Sequence, residues 1–146
     1  MTENLQDTYP GAGTFKFGDN AKLCQGLIDL VRAGKKRATC GALRDFIDDP
    51  EAMPVVGRCD IAVNWDGTPE LVIKTLSVQT LRYCDVTEEM ALAEGENDTL
   101  EGWRAGHKAF FGRTGGFSPE MELVFEHFEV VEDLAGRGIA PDEDAK

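Results

Sequence analysis

Two segments of alternating polar and apolar residues limit what this chain can fold into. From Arg58 to Asn64 the side chains of Cys59, Ile61 and Val63 fall on one face. From Glu70 to Leu81 a second run carries Leu71, Val72, Ile73, Leu76 and Val78. Asp66-Gly67 between them is a hairpin signal, because both residues tolerate the positive φ of a tight turn. A third run, Glu120 to Glu132, places Val124, Phe128 and Val130 on one face and Met121, Leu123, Phe125 and His127 on the other. The period of two predicts strands in all three.

Helical periodicity occupies the rest of the chain. Asp19 or Asn20 can cap a helix whose face carries Leu23, Leu27, Leu30 and Val31, with Cys24 and Ile28 alongside. Gly34 permits the left-handed turn that ends it. A short second helix is expected to turn Leu43, Phe46 and Ile47 inward and to stop at Asp49-Pro50. Thr87 opens a third helix, and Thr99 or Asp98 opens a fourth. The fourth carries Leu100, Trp103, His107, Phe110 and Phe111 on one side and breaks at Thr114-Gly115-Gly116. Helices inserted among strands in this order fit an α+β domain built on a small barrel.

The chain has 146 residues, enough for one self-sufficient core. Residues 1–13 read as a flexible lead, 14–132 as the folded domain, and 133–146 as a flexible acidic tail. No apolar run approaches the roughly 20 residues of a membrane helix, and the N-terminus lacks a basic-then-apolar leader. The expected setting is the cytoplasm, without membrane association. Cys24, Cys40, Cys59 and Cys84 show no C-x-x-C spacing, and with two histidines a metal site is not expected. Cys40 lies in a basic segment that could lower its pKa.

Formal net charge is −12, which weighs against a protein that coats duplex DNA or long RNA. The distribution is uneven. Between Arg32 and Arg44 the chain carries Arg32, Lys35, Lys36, Arg37 and Arg44 without an acid. Between Asp85 and Glu101 it carries seven acids without a Lys or Arg. Such runs are often solvated faces, but a local basic loop in an acidic protein also suits a compact polar or anionic ligand.

Chemistry concentrates at Gly34-Lys35-Lys36-Arg37-Ala38-Thr39. A helix end, a glycine, a lysine and a threonine three positions on place an ammonium and a hydroxyl on one short loop. Lys36 can polarise a carbonyl, hold an anion, or act as a base if burial and the neighbouring Lys35 and Arg37 lower its pKa. Lying past the helix end, it is expected to contribute no core volume. The spacing alone also fits a solvated helix terminus whose cations complement the dipole.

With Val56-Gly57, Asp85-Val86-Thr87, Ala93-Glu94-Gly95-Glu96 and Trp103-Arg104-x-x-His107, the sequence resembles the ASCH domain, in its bacterial subgroup with a G-x-K-x-x-T loop. Gly34, Lys36 and Thr39 occupy that loop, and the resemblance runs from Phe15 to Val131. It implies a PUA-like small β-barrel with a cleft lined by the loop, and a nucleoside or short single-stranded RNA as partner. Some members remove the acyl group from acetylated cytidine using a Lys, a Thr and a Glu. Others cleave RNA or bind it without catalysis. Lys36 and Thr39 match the first two catalytic roles. The Glu is Glu96 or Glu94, which two residues apart on a helix would not share a face. Arg44 stands where the subgroup carries an aromatic residue. No cofactor is implied.

Lys35, Arg37, Arg44, Arg104 and His107 complete the candidate ligand contacts. Arg104 could pair with Glu94 or Glu96 or reach a phosphate. His107 is equally consistent with a core histidine and a site residue. Trp103 reads as core packing, His127 as structural, and Trp65 as a rim residue or a stacking platform.

Overall fold

The computed structural model describes residues 8–134. Five strands form one sheet: β1 (Thr14–Phe15), β2 (Ala38–Ala42), β3 (Cys59–Val63), β4 (Pro69–Arg82) and β5 (Glu122–Asp133), in the order β1-β3-β4-β5-β2. β1 runs parallel to β3, and the other three pairings are antiparallel. Four α-helices lie wholly within the described residues: α1 (Ala21–Arg32), α2 (Leu43–Asp48), α3 (Glu88–Ala93) and α4 (Leu100–Arg113).

The expected α+β class holds, but the sheet is not closed into a barrel. Its edges, β1 and β2, do not pair with each other. β1 is only two residues long and β2 five, so neither edge offers much backbone to join. Both edges instead contribute side chains to one cleft.

Three helix starts are set by local chemistry. Asn20, Thr87 and Thr99 each accept a hydrogen bond from the backbone N–H three residues on, at Leu23, Met90 and Gly102. α1 buries Cys24, Leu27, Ile28 and Val31 against Ala62, Leu71, Ile73 and Phe128 on one sheet face. α3 and α4 contribute Ala91, Trp103 and Phe111 to a second cluster with Ala42, Tyr83 and Leu123. The hairpin turns as expected, with Gly67 at φ 91°.

Three expectations change. Ile47 on α2 is 68% exposed, because α2 buries none of its residues completely. Val130 is exposed as well, at 41%, although it pairs with buried Ile73 and shares a face with buried Phe128. Within the expected N-terminal lead, Ala12 is buried with Ile61, Val63, Val72 and Leu134. Gly13 N–H also donates to Asp60 Oδ1 at 3.0 Å. Residues 1–7 and 135–146, which make up most of the expected lead and tail, lie outside the described residues. No helix among the described residues is long and apolar enough to cross a membrane.

Candidate functional site

Lys36 is the centre of the site, and it is buried, at 2% exposure. After α1, Gly34 takes φ 79° and the N–H groups of Lys35 and Lys36 both donate to the Leu30 carbonyl. The loop is then clamped. Arg37 N–H donates to the Ala93 carbonyl, and Phe128 N–H donates to the Arg37 carbonyl. Gly95, at φ 72°, lies so close to the Lys35 carbonyl that no side chain fits between them. The clamp aims Lys36 inward rather than into solvent. Its Nζ donates to Glu94 Oε1 at 3.2 Å and to Glu96 Oε2 at 2.9 Å.

The geometry answers the choice between Glu94 and Glu96: both reach Lys36. The expectation that they would diverge assumed a continuing helix. α3 ends at Ala93, and left-handed Gly95 turns the chain so that residues on either side of it converge. Glu94 is buried at 1% exposure, and its Oε2 accepts from Trp103 Nε1 at 2.5 Å. His107 Nε2 lies 3.6 Å from the same oxygen. The other ring nitrogen of His107 lies 2.9 Å from the Trp103 carbonyl, and the ring stacks on Trp103 with centroids 4.1 Å apart. Trp103 therefore packs in the core and also holds Glu94. His107 joins the site.

These contacts set the charges. Burial disfavours the Lys36 ammonium, but Glu94 and Glu96 outweigh it and its pKa is raised, not lowered. Lys36 is a fixed cation at neutral pH and not a base, contrary to the expectation from its cationic neighbours. Burial likewise pushes Glu94 up, yet Lys36, His107 and Trp103 bring it down to about 2. Burial lowers His107, and Glu94 more than offsets it, for a net rise. With both nitrogens facing oxygen acceptors, His107 is best satisfied as an imidazolium.

Cys40 departs from expectation. Burial first, and then the Glu94 charge, push its thiol well above the usual range, outweighing the nearby Lys36. Cys40 Sγ, a Glu94 carboxylate oxygen and a His107 ring nitrogen lie within 4.8 Å of one another. These are donor types that suit zinc. The same carboxylate already carries the Lys36 ammonium and the Trp103 N–H, so its charge is compensated by this chain's own residues.

The cleft has a volume of about 570 Å3. Lys36, Thr39, Glu94, Glu96 and His107 line it, so the catalytic candidates and one ligand candidate come together. Thr39 lies on β2 rather than on a free loop. Lys35, Arg37 and Arg104 are exposed and outside the lining. Arg104 makes no ion pair with Glu94 or Glu96; its backbone carbonyl accepts from Tyr83 Oη at 2.6 Å. Arg44 packs against Gly115 beside a separate recess of about 170 Å3. Trp65 stays on the surface, with Lys16 Nζ 5.2 Å from its ring centroid.

Sequence reasoning missed the aromatic wall, Phe15, Phe17, Phe46 and Phe110, and a polar floor of Arg58, Asp60, Thr75 and Glu126. Phe46 supplies an aromatic ring two positions after Arg44, where one seemed missing. Arg58 Nε donates to Asp60 Oδ2 at 3.1 Å, and Thr75 Oγ1 donates to Glu126 Oε2 at 2.6 Å.

The family model for the ASCH domain matches residues 13–132. The fold is similar to the crystal structure of an ASCH domain from Lactobacillus crispatus JV V101, with a TM-score of 0.77 and 33% identity over 90% of this chain and 86% of that one. It is similar to protein EF3133 from Enterococcus faecalis V583, with a TM-score of 0.76 and 32% identity over 86% of this chain and 79% of that one. The hypothetical protein PH0355 shares the fold at a TM-score of 0.55 and 14% identity, over 82% of this chain and 97% of that one. No curated protein matches the sequence.

Proposed function

The chain belongs to the ASCH domain family, and from that premise we propose that its cleft binds a nucleoside and removes the acyl group from an acylated one. The observation that carries this reading is Lys36, a buried ammonium held by two carboxylates on the cleft that Thr39 also lines. A preorganised cation in a water-poor site is most effective where negative charge develops, as it does on the carbonyl oxygen of an amide under attack. The cleft volume of about 570 Å3 suits a small ligand. Phe17, Phe46 and Phe110 line the cleft and give it an aromatic wall of the kind that suits a planar base. A net charge of −12 repels a long phosphate chain more than a neutral nucleoside.

In this reading Thr39 Oγ1 or a water attacks the acyl carbon. Lys36 stabilises the oxyanion as an ammonium, and the C–N bond breaks to leave the free amine and, after hydrolysis, the carboxylic acid. Glu94 and Glu96 hold Lys36 in place and in charge.

A second reading, a module for single-stranded RNA, is favoured by Lys35 and Arg37, which are exposed on either side of Lys36 in sequence. Incubating the protein with cytidine acetylated on its exocyclic amine separates the two. Release of cytidine and acetate, with nucleoside binding nearly independent of salt, is the expected result. No turnover, together with RNA binding that depends on Lys36 and falls steeply with salt, overturns the hydrolase in favour of the RNA module.

A further inference from the structure

The floor of the cleft carries a continuous polar row that crosses four strands. Thr39 on β2 pairs directly with Glu126 on β5. Opposite residues of an antiparallel pair project from the same face, with Cβ atoms roughly 4.5–5.5 Å apart. Next to Glu126, the Thr75 hydroxyl of β4 donates to Oε2 at 2.6 Å. Asp60 on β3 pairs with Ile73 on β4 and continues the row with Arg58. Thr39, Glu126, Asp60 and Arg58 all line the cleft. Glu126 is 9% exposed, on a strand that otherwise buries Leu123, Val124, Phe125 and Phe128.

A threonine hydroxyl needs a base before it can attack an amide, and Lys36, fixed as an ammonium, cannot serve. The other carboxylates of the cleft are committed or remote. Glu94 is bound by Lys36, Trp103 and His107, and Glu96 by Lys36. Asp60 is bound by Arg58 and the Gly13 N–H. Asp45 and Glu51 are exposed. Glu126 has one oxygen fixed by Thr75, which orients the carboxylate and leaves Oε1 for the cross-strand neighbour Thr39.

We propose that Glu126 is the catalytic base for Thr39, directly or through one water, and the acid that returns the proton to the leaving nitrogen. The inference rests on the hydrolase reading above. Glu126 takes the Thr39 Oγ1 proton as the Oγ1–C bond forms and the carbonyl π pair moves onto oxygen beside Lys36. Collapse of the tetrahedral adduct breaks the C–N bond, and Glu126 protonates the departing amine. Water then attacks the Thr39 ester and gives one proton to Glu126. The ester C–O bond breaks, the carboxylic acid leaves, and Thr39 regains its hydrogen. Burial raises Glu126 above the usual glutamate range, Thr75 works against the rise, and Asp60 adds to it. A raised carboxylate pKa suits a group that must alternate between base and acid near neutral pH.

Glu126→Gln is the test, because the amide keeps the volume and can still accept from Thr75. With cytidine acetylated on its exocyclic amine, kcat is expected to fall about a hundredfold or more, with KM within about twofold. Wild-type activity should drop as pH falls through the raised Glu126 value, and the variant should lack that acid limb. Cytidine should raise the melting temperature of both proteins equally. A variant with more than a tenth of wild-type kcat, or with the acid limb intact, removes Glu126 as the base and leaves the hydrolase standing. A wild-type protein that hydrolyses nothing removes the hydrolase and this role with it.

Discussion

Lys36→Met is the most informative single change for the stability of the site. Methionine keeps much of the length and apolar stem of lysine and deletes the ammonium. Glu94 would then be left buried at 1% exposure with Trp103 and His107 but without its nearest cation. Removing one partner of a buried ion pair costs about 3–5 kcal/mol, since the stranded charge keeps its desolvation penalty. The Glu94 pKa gives a similar magnitude. A carboxyl held at about 2 instead of 4.5 is stabilised by about 3 kcal/mol at neutral pH, at 1.36 kcal/mol per pKa unit. For a domain of this size the loss corresponds to about 10–20 °C in Tm.

The sign of the pH dependence follows from the same group. Glu94 has a depressed folded pKa, so its contribution is complete above 4.5 and is lost as pH falls towards about 2. In Lys36→Met the carboxyl no longer has the ammonium and takes up a proton more readily. The gap in Tm between variant and wild type should therefore be widest near neutral pH and should narrow in acid. Calorimetric scans of both proteins across that range measure it. Glu94→Gln made in the Lys36→Met background should recover part of the loss, because it removes the stranded charge. A Lys36→Met protein that melts within about 2 °C of wild type at neutral pH would show that the ammonium is not buried in an ion pair, and the site as described would be wrong.

Gly95→Ala should cost at least about 2 kcal/mol, since it combines a φ of 72° with a backbone clash at Lys35. Gly112→Ala, on α4 with open space at its Cβ position, should be neutral or stabilising by about 0.5–1 kcal/mol. Comparing the two Tm values tests the clamp. Alkylation of the native protein at mildly alkaline pH should modify exposed Cys84 well before Cys40, whose thiol is pushed up by burial and Glu94. Peptide mapping that finds Cys40 first refutes that placement. His107 should titrate above 6.5 by NMR, so its stabilising contribution is complete below 6.5 and disappears as pH rises through the folded value. In Lys36→Met it should titrate higher still, because a neighbouring cation is gone.

What could be read from the sequence was what depends on near neighbours in the chain. Asn20, Thr87 and Thr99 cap helices through a bond to an N–H three residues away, and Asp66-Gly67 turns a hairpin through its own backbone preferences. The grouping of Lys36, Thr39, Glu94 and Glu96 followed from a family resemblance. The burial of Lys36 did not, because it depends on the Arg37–Ala93 bond and on Gly95, 56 and more residues away in the chain. Once Lys36 turns inward it leaves the basic run, and exposed Lys35 and Arg37 no longer belong with it. The polar floor was hidden for another reason. Alternation says which residues share a face of a strand, but not which face is covered. On β3 the face opposite Cys59, Ile61 and Val63 carries Asp60, and that face is covered too, since Asp60 is only 8% exposed. β5 did hold a usable signal. Val124 and Phe128 flank Glu126 on its own face, while Leu123 and Phe125 make the opposite face apolar too. A strand apolar on both faces is buried on both, so a carboxylate within it needs a partner. Thr75 supplies that partner for one oxygen. Across the strands that carboxylate pairs with Thr39, so the partner that its burial requires and the hydroxyl that needs a base belong to one row of the sheet.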